Sequence, residues 1–427
     1  MNITASQPEL RSARWAAGLF LLVVVLQRFA VPGLPLVPLL LPAVLLWVVA
    51  AAVKQVVEID RNRLAWWLAM GAATAIVMPL QSAFVTDAEV SVTGWGLIMA
   101  VWLPFTVRFR SRGTQGYLAA LARIAHISSW LAVVAVVMTV SQLLGLPYTD
   151  IFAKVIPEPF QLMGYVITYP ISYGSTLYKS NAWFGLEPSA VSVLLGIGLL
   201  AAIFARVKWW NILLTVLGLV ATVSGSGIVI ALIGLGVMTL HRSRKLLLRY
   251  LPLVLVVLMG ALFTPFGRIM LSRATEFQAD NSSTALRAID PYAVLYPRWI
   301  DSFQGVLLGY GPGSAQRVIT RTNVLGLSIP SPAKVFFEYG MLAGLVLAAF
   351  MFICYWGSPS RALAVSLLMS YWLFIPGVTT VMVLAPLLAT VSLWSPRVGP
   401  LVEVVRPDRR RQPDAESPPA PAMAHLR

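Results

Sequence analysis

The chain carries little charge for its length and almost no cysteine. Of its 427 residues only 11% are charged, and Cys354 is the single cysteine. A soluble domain carries about 25% charged residues, so this composition argues against a soluble globular protein. A lone cysteine excludes a disulfide within the chain and a cysteine metal site.

Nucleotide-binding signatures are also missing. The sequence contains no Gly-x-x-x-x-Gly-Lys-Ser/Thr loop and no strand–Gly-x-Gly-x-x-Gly–helix unit, so neither ATP nor a dinucleotide is predicted, and no cofactor. The net charge of +15 is compatible with a nucleic-acid partner. Positive charge also accumulates on the cytoplasmic loops of membrane proteins, and the apolar composition favours that explanation. We therefore predict no nucleic-acid partner.

Long apolar runs occupy most of the chain between Trp15 and Trp394, and 58% of all residues are hydrophobic. Runs of about 20 apolar residues can cross a bilayer as helices. Strands of a membrane barrel would alternate polar and apolar residues, which these runs do not. The sequence therefore predicts an all-α polytopic membrane protein with about 12 transmembrane helices.

The predicted helices lie at residues 13–30, 34–53, 64–85, 90–107, 124–146, 187–205, 209–223, 227–240, 248–265, 336–356, 362–375 and 378–394. Pro35, Pro38 and Pro42 fall inside the second of these runs, where we expect them to kink the helix.

Lysine and arginine are distributed unevenly over the connections between the runs. With the N-terminus placed inside, 22 of the 32 Lys and Arg residues fall on cytoplasmic segments and 10 on outer segments. Cytoplasmic loops carry the excess of positive charge, so both termini are predicted to be cytoplasmic. Residues 1–394 then form a single transmembrane domain. Residues 395–427 form a disordered, basic, proline-rich tail whose arginines can contact membrane lipids.

Two of the predicted outer segments are long. Residues 147–186 are rich in aromatic side chains, which suit an interfacial belt and equally suit stacking on sugar rings. Residues 267–335 form a long arginine-rich loop with only four acidic residues. Its seven cationic residues are Arg268, Arg273, Arg287, Arg298, Arg317, Arg321 and Lys334.

The excess of arginine over lysine in this loop points to an anionic ligand. Long loops are translocated largely regardless of charge, so some of these arginines are expected simply to face solvent. Arginine is nevertheless preferred where phosphate is bound by two parallel hydrogen bonds. We predict that at least two of these arginines bind phosphate.

Glu187 is the acidic residue of interest on the outer side. It lies in Glu187-Pro188-Ser189, where the aromatic segment enters a helix. One interpretation is a carboxylate that suits the helix dipole, with Pro188 in the first turn. The other is a general base. His126, His241 and His425 all fall on or near the predicted inside, so no histidine is available outside as a base or metal ligand.

Four short motifs in order resemble the O-antigen polymerase and ligase superfamily of bacterial polysaccharide assembly. The resemblance covers roughly residues 184–340 and the topology. Its motifs are Glu187-Pro188-Ser189, Ser224-Gly225-Ser226-Gly227, Ser282-Ser283-x-x-x-Arg287 followed by Gly309-Tyr310-Gly311-Pro312-Gly313, and Lys334-x-x-x-Glu338-Tyr339-Gly340 at the start of a late helix. The chain departs from the family in lacking an arginine at the Ser-rich break. It also lacks the histidine of the ligase branch, and this second difference favours the polymerase branch.

The resemblance implies a membrane glycosyltransferase that works without a metal at the outer face of the bacterial inner membrane. It would join oligosaccharide repeat units carried on polyprenyl pyrophosphate into a surface polysaccharide, and a chain-length regulator could accompany it. Arg287 would contact the pyrophosphate leaving group and Glu187 would be the candidate base. The implied substrate-binding residues are Arg268, Arg273, Arg298, Arg317, Tyr310 and Lys334.

Three other functions stay open at this point. A ligase would transfer the finished glycan to a final acceptor, and the missing histidine counts against it. A transporter or flippase for lipid-linked sugars should show an internal repeat and charges along a central cavity, and neither is visible in the sequence. A structural membrane scaffold would not need a cluster of outer arginines.

Overall fold

A computed structural model describes residues 5–111, 113–171, 175–240, 285–322, 327–356 and 358–394 of the chain. This described part is mostly helical, at 71%, with 15 α-helices. Three of them are long and apolar enough to cross a membrane, α3 (Arg61–Phe84), α5 (Thr114–Leu143) and α13 (Ser331–Trp356). The predicted helical class is confirmed, whereas the predicted number of spans is not tested.

The remaining helices are shorter. They are α1 (Gln7–Leu26), α2 (Leu40–Val53), α4 (Val92–Trp102), α6 (Ile151–Val155), α7 (Pro188–Phe204), α8 (Trp209–Thr222), α9 (Gly225–Leu240), α10 (Asp290–Ile300), α11 (Phe303–Leu308), α12 (Ser314–Arg321), α14 (Arg361–Leu373) and α15 (Val381–Leu387). The predicted run 248–265, residues 267–284 of the arginine-rich loop and the tail 395–427 lie outside the described residues.

The connections also contain a little β-structure, which the all-α prediction did not include. Two small antiparallel sheets lie in the connections, β1 (Ala30–Val31) with β2 (Leu34–Pro38), and β3 (Val57–Ile59) with β4 (Val107–Phe109). The second predicted helix also starts later than expected, because Pro35 and Pro38 fall in β2. Proline lacks the amide hydrogen needed inside a helix, so α2 begins only at Leu40 and keeps Pro42 in its first turn.

Contacts between the connections fall into two sets that agree with the predicted alternation of sides. One set joins Arg28 to Asp150, Glu89 to Tyr310 and Arg287 to Glu187, and we call this region the Glu187 end. The other set joins Arg108 to Glu58 and Asp60, Arg63 to Ser392, and Phe109 to Leu393. Each of these contacts links segments that the sequence places on the same side.

Helix α7 lies at the centre of the helical packing. Every residue from Val191 to Ile203 is buried, as expected for a helix that is apolar on all faces. Neighbouring helices approach α7 closely at its glycines, where there is no side chain to keep them apart. A Cβ added at Gly198 would lie 2.2 Å from the Ser128 Cβ of α5, and one at Gly196 would lie 2.4 Å from the Gly227 oxygen of α9. Small residues at such contacts are typical of membrane helices.

A buried ion pair ties the end of α1 to the aromatic segment. The Arg28 guanidinium donates two hydrogen bonds to the Asp150 carboxylate, at 2.8 and 2.6 Å, and lies 4.3 Å from the Phe152 ring centroid. Burial opposes ionisation of Asp150, but the hydrogen bonds from Arg28 and from the Ala153 amide prevail and lower its pKa. The pair therefore stabilises the folded chain only while Asp150 is ionised.

We expect Asp150→Asn to destabilise the protein at neutral pH by about 3 kcal/mol, because the buried Arg28 loses its counter-charge. Since the pKa of Asp150 is lowered on folding, the wild-type advantage is present above the ordinary aspartate pKa of about 3.9. It disappears as the pH falls through the lowered value. Thermal unfolding of both proteins in detergent across pH measures this difference, and a difference that is constant with pH would contradict it.

Candidate functional site

Glu187 lies at the start of α7 but does not cap that helix. Its backbone is extended, Pro188 occupies the first helical position, and its side chain makes no hydrogen bond to the helix amides. The carboxylate instead accepts a hydrogen bond from Ser189 Oγ at 3.0 Å and lies 3.9 Å from the Arg287 guanidinium. The side chain is thus directed toward a cation from a distant part of the chain.

Arg287 reaches this position from a π-helical turn, Ala285–Ile289, that runs directly into α10. Its Nη1 donates a hydrogen bond to Ser226 Oγ at 3.3 Å, and its Nη2 makes the contact with Glu187. The side chains of Arg287 and Glu187 are 27% and 19% exposed. Both groups are therefore partly accessible to a ligand while they remain next to each other.

Ser226 is placed by a break between α8 and α9. Val223 adopts a left-handed conformation there, with φ +48°, and α9 starts two residues later. The buried hydroxyl of Ser192, on α7, donates to the Ser224 carbonyl and accepts from the Gly227 amide, both at 3.0 Å. One hydroxyl of α7 thus holds the backbone on both sides of Ser226.

The structure therefore brings together residues from three of the motifs noted in the sequence. We call Glu187, Ser189, Ser226 and Arg287 the Glu187 cluster. Its members come from separate segments, and each is held by helix ends or turns that pack at the Glu187 end. A carboxylate, two hydroxyls and a guanidinium at this spacing can accept a proton and bind an anionic group.

Burial is the main influence on the charge of Glu187. It raises the pKa of the carboxyl, while Arg287 and the Ser189 hydroxyl act in the opposite direction. Tyr165 and Tyr169 of the aromatic segment lie within electrostatic reach. Burial raises the pKa of both phenols, and the charge of Glu187 raises it further. A carboxylate with a raised pKa is a stronger base than an exposed glutamate.

The Gly309–Gly313 turn packs against a break in α13. Gly340 has φ +62° and interrupts the helix, and the Tyr310 and Gly311 amides donate to the Phe337 and Glu338 carbonyls at 2.8 and 3.0 Å. A Cβ at Gly309 would lie 2.4 Å from the Gly340 nitrogen, so no larger residue fits there. The turn has a structural role at this position.

Glu338 corrects one expectation about this region. The sequence analysis placed it at the start of the late helix, but α13 begins at Ser331 and Glu338 lies just before the Gly340 break. Its side chain is only 2% exposed. The Glu338 backbone joins the turn to the helix, because its carbonyl accepts the Gly311 amide, whereas its Oε1 has no hydrogen-bond partner among the described residues. Tyr310 is buried as well, and its ring stacks on Phe337.

Two arginines predicted to bind substrate are paired with acidic side chains of the protein. Arg298 lies 3.8 Å from Asp87, and Arg317 lies 3.0 Å from Glu89. Arg321 also contacts Glu89, at 2.6 Å. Asp87 and Glu89 belong to the α3–α4 connection, outside the arginine-rich loop. A comparison of charges within the loop alone does not include Asp87 and Glu89, so these partners were not predicted.

Lys334 is mostly buried on α13. Its Nζ lies 3.9 Å from Glu338 and 3.3 Å from Thr379 Oγ1. Arg268 and Arg273 fall outside the described residues. Over the described ranges, no group of three or more His, Cys, Asp or Glu side chains is arranged to hold a metal ion.

Comparison of the chain with protein-family models, with curated proteins and with solved structures finds no significant match. The geometry of the Glu187 cluster and the motif resemblance are therefore the two grounds for assigning a function.

We expect Gly227→Ala to destabilise the protein by about 1–3 kcal/mol, because backbone atoms of α7 oppose the added methyl group. A Cβ at Gly227 would lie 1.8 Å from the Ser192 carbonyl oxygen. Gly225→Ala is the matched control from the same motif, since a Cβ there has no atom within 4 Å. Thermal unfolding in detergent compares the two variants. Equal stability of both would show that the α7–α9 contact is looser than described.

Proposed function

We propose that this chain is a membrane glycosyltransferase that polymerises lipid-linked oligosaccharide repeat units. The main support for this proposal is that Glu187, Ser226 and Arg287 lie together at one end of the helices. These residues come from separate motifs of the polymerase and ligase superfamily resemblance, and they meet through direct side-chain contacts.

The reaction would be a displacement at the anomeric carbon of the donor glycan. The acceptor hydroxyl forms a new C–O bond as the C–O bond to the polyprenyl pyrophosphate breaks. Glu187 takes the proton of the acceptor hydroxyl. The bonding electron pair leaves with the pyrophosphate, whose added negative charge is stabilised by Arg287. The donor is already activated as a pyrophosphate ester, so the step needs no ATP, and the family resemblance implies that it works without a metal.

The spacing of the charged pair suits this division of roles. At 3.9 Å the contact between Arg287 and Glu187 is longer than a direct charge-assisted hydrogen bond, which is about 2.7–2.9 Å. A phosphate oxygen can therefore engage the guanidinium without first breaking a tight ion pair. The raised pKa of Glu187 suits a group that must accept a proton.

The apolar helices supply the setting for lipid-borne substrates. We propose that the chain spans a bacterial inner membrane with both termini cytoplasmic and the Glu187 end outside, as the Lys and Arg distribution predicts. The polyprenyl tails of donor and acceptor would stay in the bilayer, which lowers the entropic cost of their meeting. Arg268, Arg273 and Lys334 remain candidates for further contacts to the substrate.

A ligase is the alternative function. It would use the same donor and the same leaving group, but a different final acceptor. The segment Ser331-Pro332-Ala333-Lys334 stands where the ligase branch carries its histidine element, and this difference favours polymerisation.

The Arg287→Ala protein should form polymer at least about 100-fold more slowly than wild type, because the leaving group loses its positive partner. The measurement is the rate at which polymer forms from purified lipid-linked repeat units in proteoliposomes. Arg321→Ala is the control, since Arg321 comes from the same loop but binds Glu89. Comparable loss in both variants would remove Arg287 from the mechanism.

Removal of the base should change the pH profile as well as the rate. Wild-type activity should rise with pH as Glu187 loses its proton, with the acid limb above the ordinary glutamate pKa of about 4.3. Glu187→Gln should lower the rate about 100- to 10,000-fold and remove that limb. If Glu187→Gln keeps both the rate and the limb, Glu187 is only a carboxylate at a helix start.

A further inference from the structure

The turn that precedes Glu187 is strained. Ala182 and Trp183 both adopt a left-handed backbone conformation, each with φ +54°. Residues with a side chain rarely occupy this region, and two in succession are costly. Such strain persists only where the surroundings fix it, and it is concentrated at functional sites. These two residues lie five and four positions before the candidate base.

Side chains of the loop itself hold one face of the turn. Ser180 Oγ accepts a hydrogen bond from the Ala182 amide at 3.2 Å, and Asn181 Oδ1 accepts one from the Trp183 amide at 3.1 Å. Ser180 and Asn181 are fully buried. The amides of the two strained residues therefore donate to buried acceptors that water does not reach.

The end of α1 holds the other face. Gln27 Oε1 accepts a hydrogen bond from the Leu186 amide at 3.1 Å, and Arg28 Nη1 donates one to the Trp183 carbonyl at 3.1 Å. Gln27 is 1% exposed and Arg28 is 2% exposed. A buried polar group that loses its partner is costly, so these contacts restrain the turn strongly.

We propose that Gln27 and Arg28 are positioning residues that hold the strained turn and thereby set the Glu187 carboxylate against Arg287. Leu186 directly precedes Glu187, so the hydrogen bond to Gln27 fixes the backbone from which that side chain projects. Among the described residues, neither makes a hydrogen bond or an ion pair with the Glu187 cluster, so both act through the turn. This inference rests on the proposed function of Glu187 as a base.

The test variant is Gln27→Met, which keeps the length of the side chain and removes the acceptor for the Leu186 amide. Asn181→Ala removes the acceptor for the Trp183 amide from the opposite side, so the test does not depend on one variant folding. Gln142→Met is the matched control. Gln142 is also buried and bonds the same segment, with Oε1 accepting from the Tyr178 amide at 2.8 Å, but nine residues before Glu187.

Polymer formation from purified lipid-linked repeat units in proteoliposomes is measured across pH for each variant. Gln27→Met and Asn181→Ala should lower the rate by up to roughly 100-fold, the effect of a small misplacement of a catalytic group. Their acid limb should shift, because displacement of Glu187 changes both the burial that raises its pKa and the Arg287 charge that lowers it. Hydrogen exchange of residues 182–187 should accelerate in both. The Gln142→Met control should keep the wild-type acid limb.

An unchanged acid limb in Gln27→Met and Asn181→Ala would overturn the positioning role, even if both lose activity or stability. The same shift in Gln142→Met would also overturn it, because any loosening of the segment would then suffice. Failure of the proposed function is recognised separately. Wild-type protein that forms no polymer would contradict the proposed function, whereas Glu187→Gln with wild-type activity would remove the base, and with it the positioning role, but leave polymerisation standing.

Discussion

The burial of α7 from Val191 to Ile203 is the constraint on which the Glu187 end depends. A helix surrounded on every face cannot shift without disturbing all its neighbours, and interiors of this kind are closely packed. Glu187 precedes the first residue of this helix, and Ser192 lies one turn further on. The same rigid element therefore carries the candidate base and fixes the backbone on both sides of Ser226, to which Arg287 bonds.

Charge pairing separates the described arginines of the loop into two kinds. Arg298, Arg317 and Arg321 contact Asp87 or Glu89, and these contacts attach the loop to the α3–α4 connection. Arg287 differs from these in its partner, because it lies beside the partly buried Glu187, and not in the length of its contact, which is close to that between Arg298 and Asp87. The first kind attaches the loop to another connection, and the second lies next to the candidate base. A count of positive charges cannot make this distinction, because it depends on where each partner lies in space.

The sequence predicted that Glu187, Ser226 and Arg287 lie on one side, because the apolar runs alternate, but it did not predict the contacts between their side chains. It did not predict the partners of Arg298 and Arg317, which come from a connection more than two hundred positions away and carry no local signal. It misplaced the start of α2, although Pro35 and Pro38 were visible. Gln27 gave no signal at all, since its importance depends on the backbone conformation of a turn distant in sequence.

The size profile of surface polysaccharide in a strain that lacks this protein distinguishes a polymerase from a ligase. For a polymerase, we expect the ladder of polymer sizes to collapse to a single lipid-linked repeat unit, because repeat units are still made and brought to the outer face but are not joined. Long chains that accumulate on their carrier lipid without reaching a final acceptor would contradict it and identify a ligase. An unchanged ladder would exclude both activities.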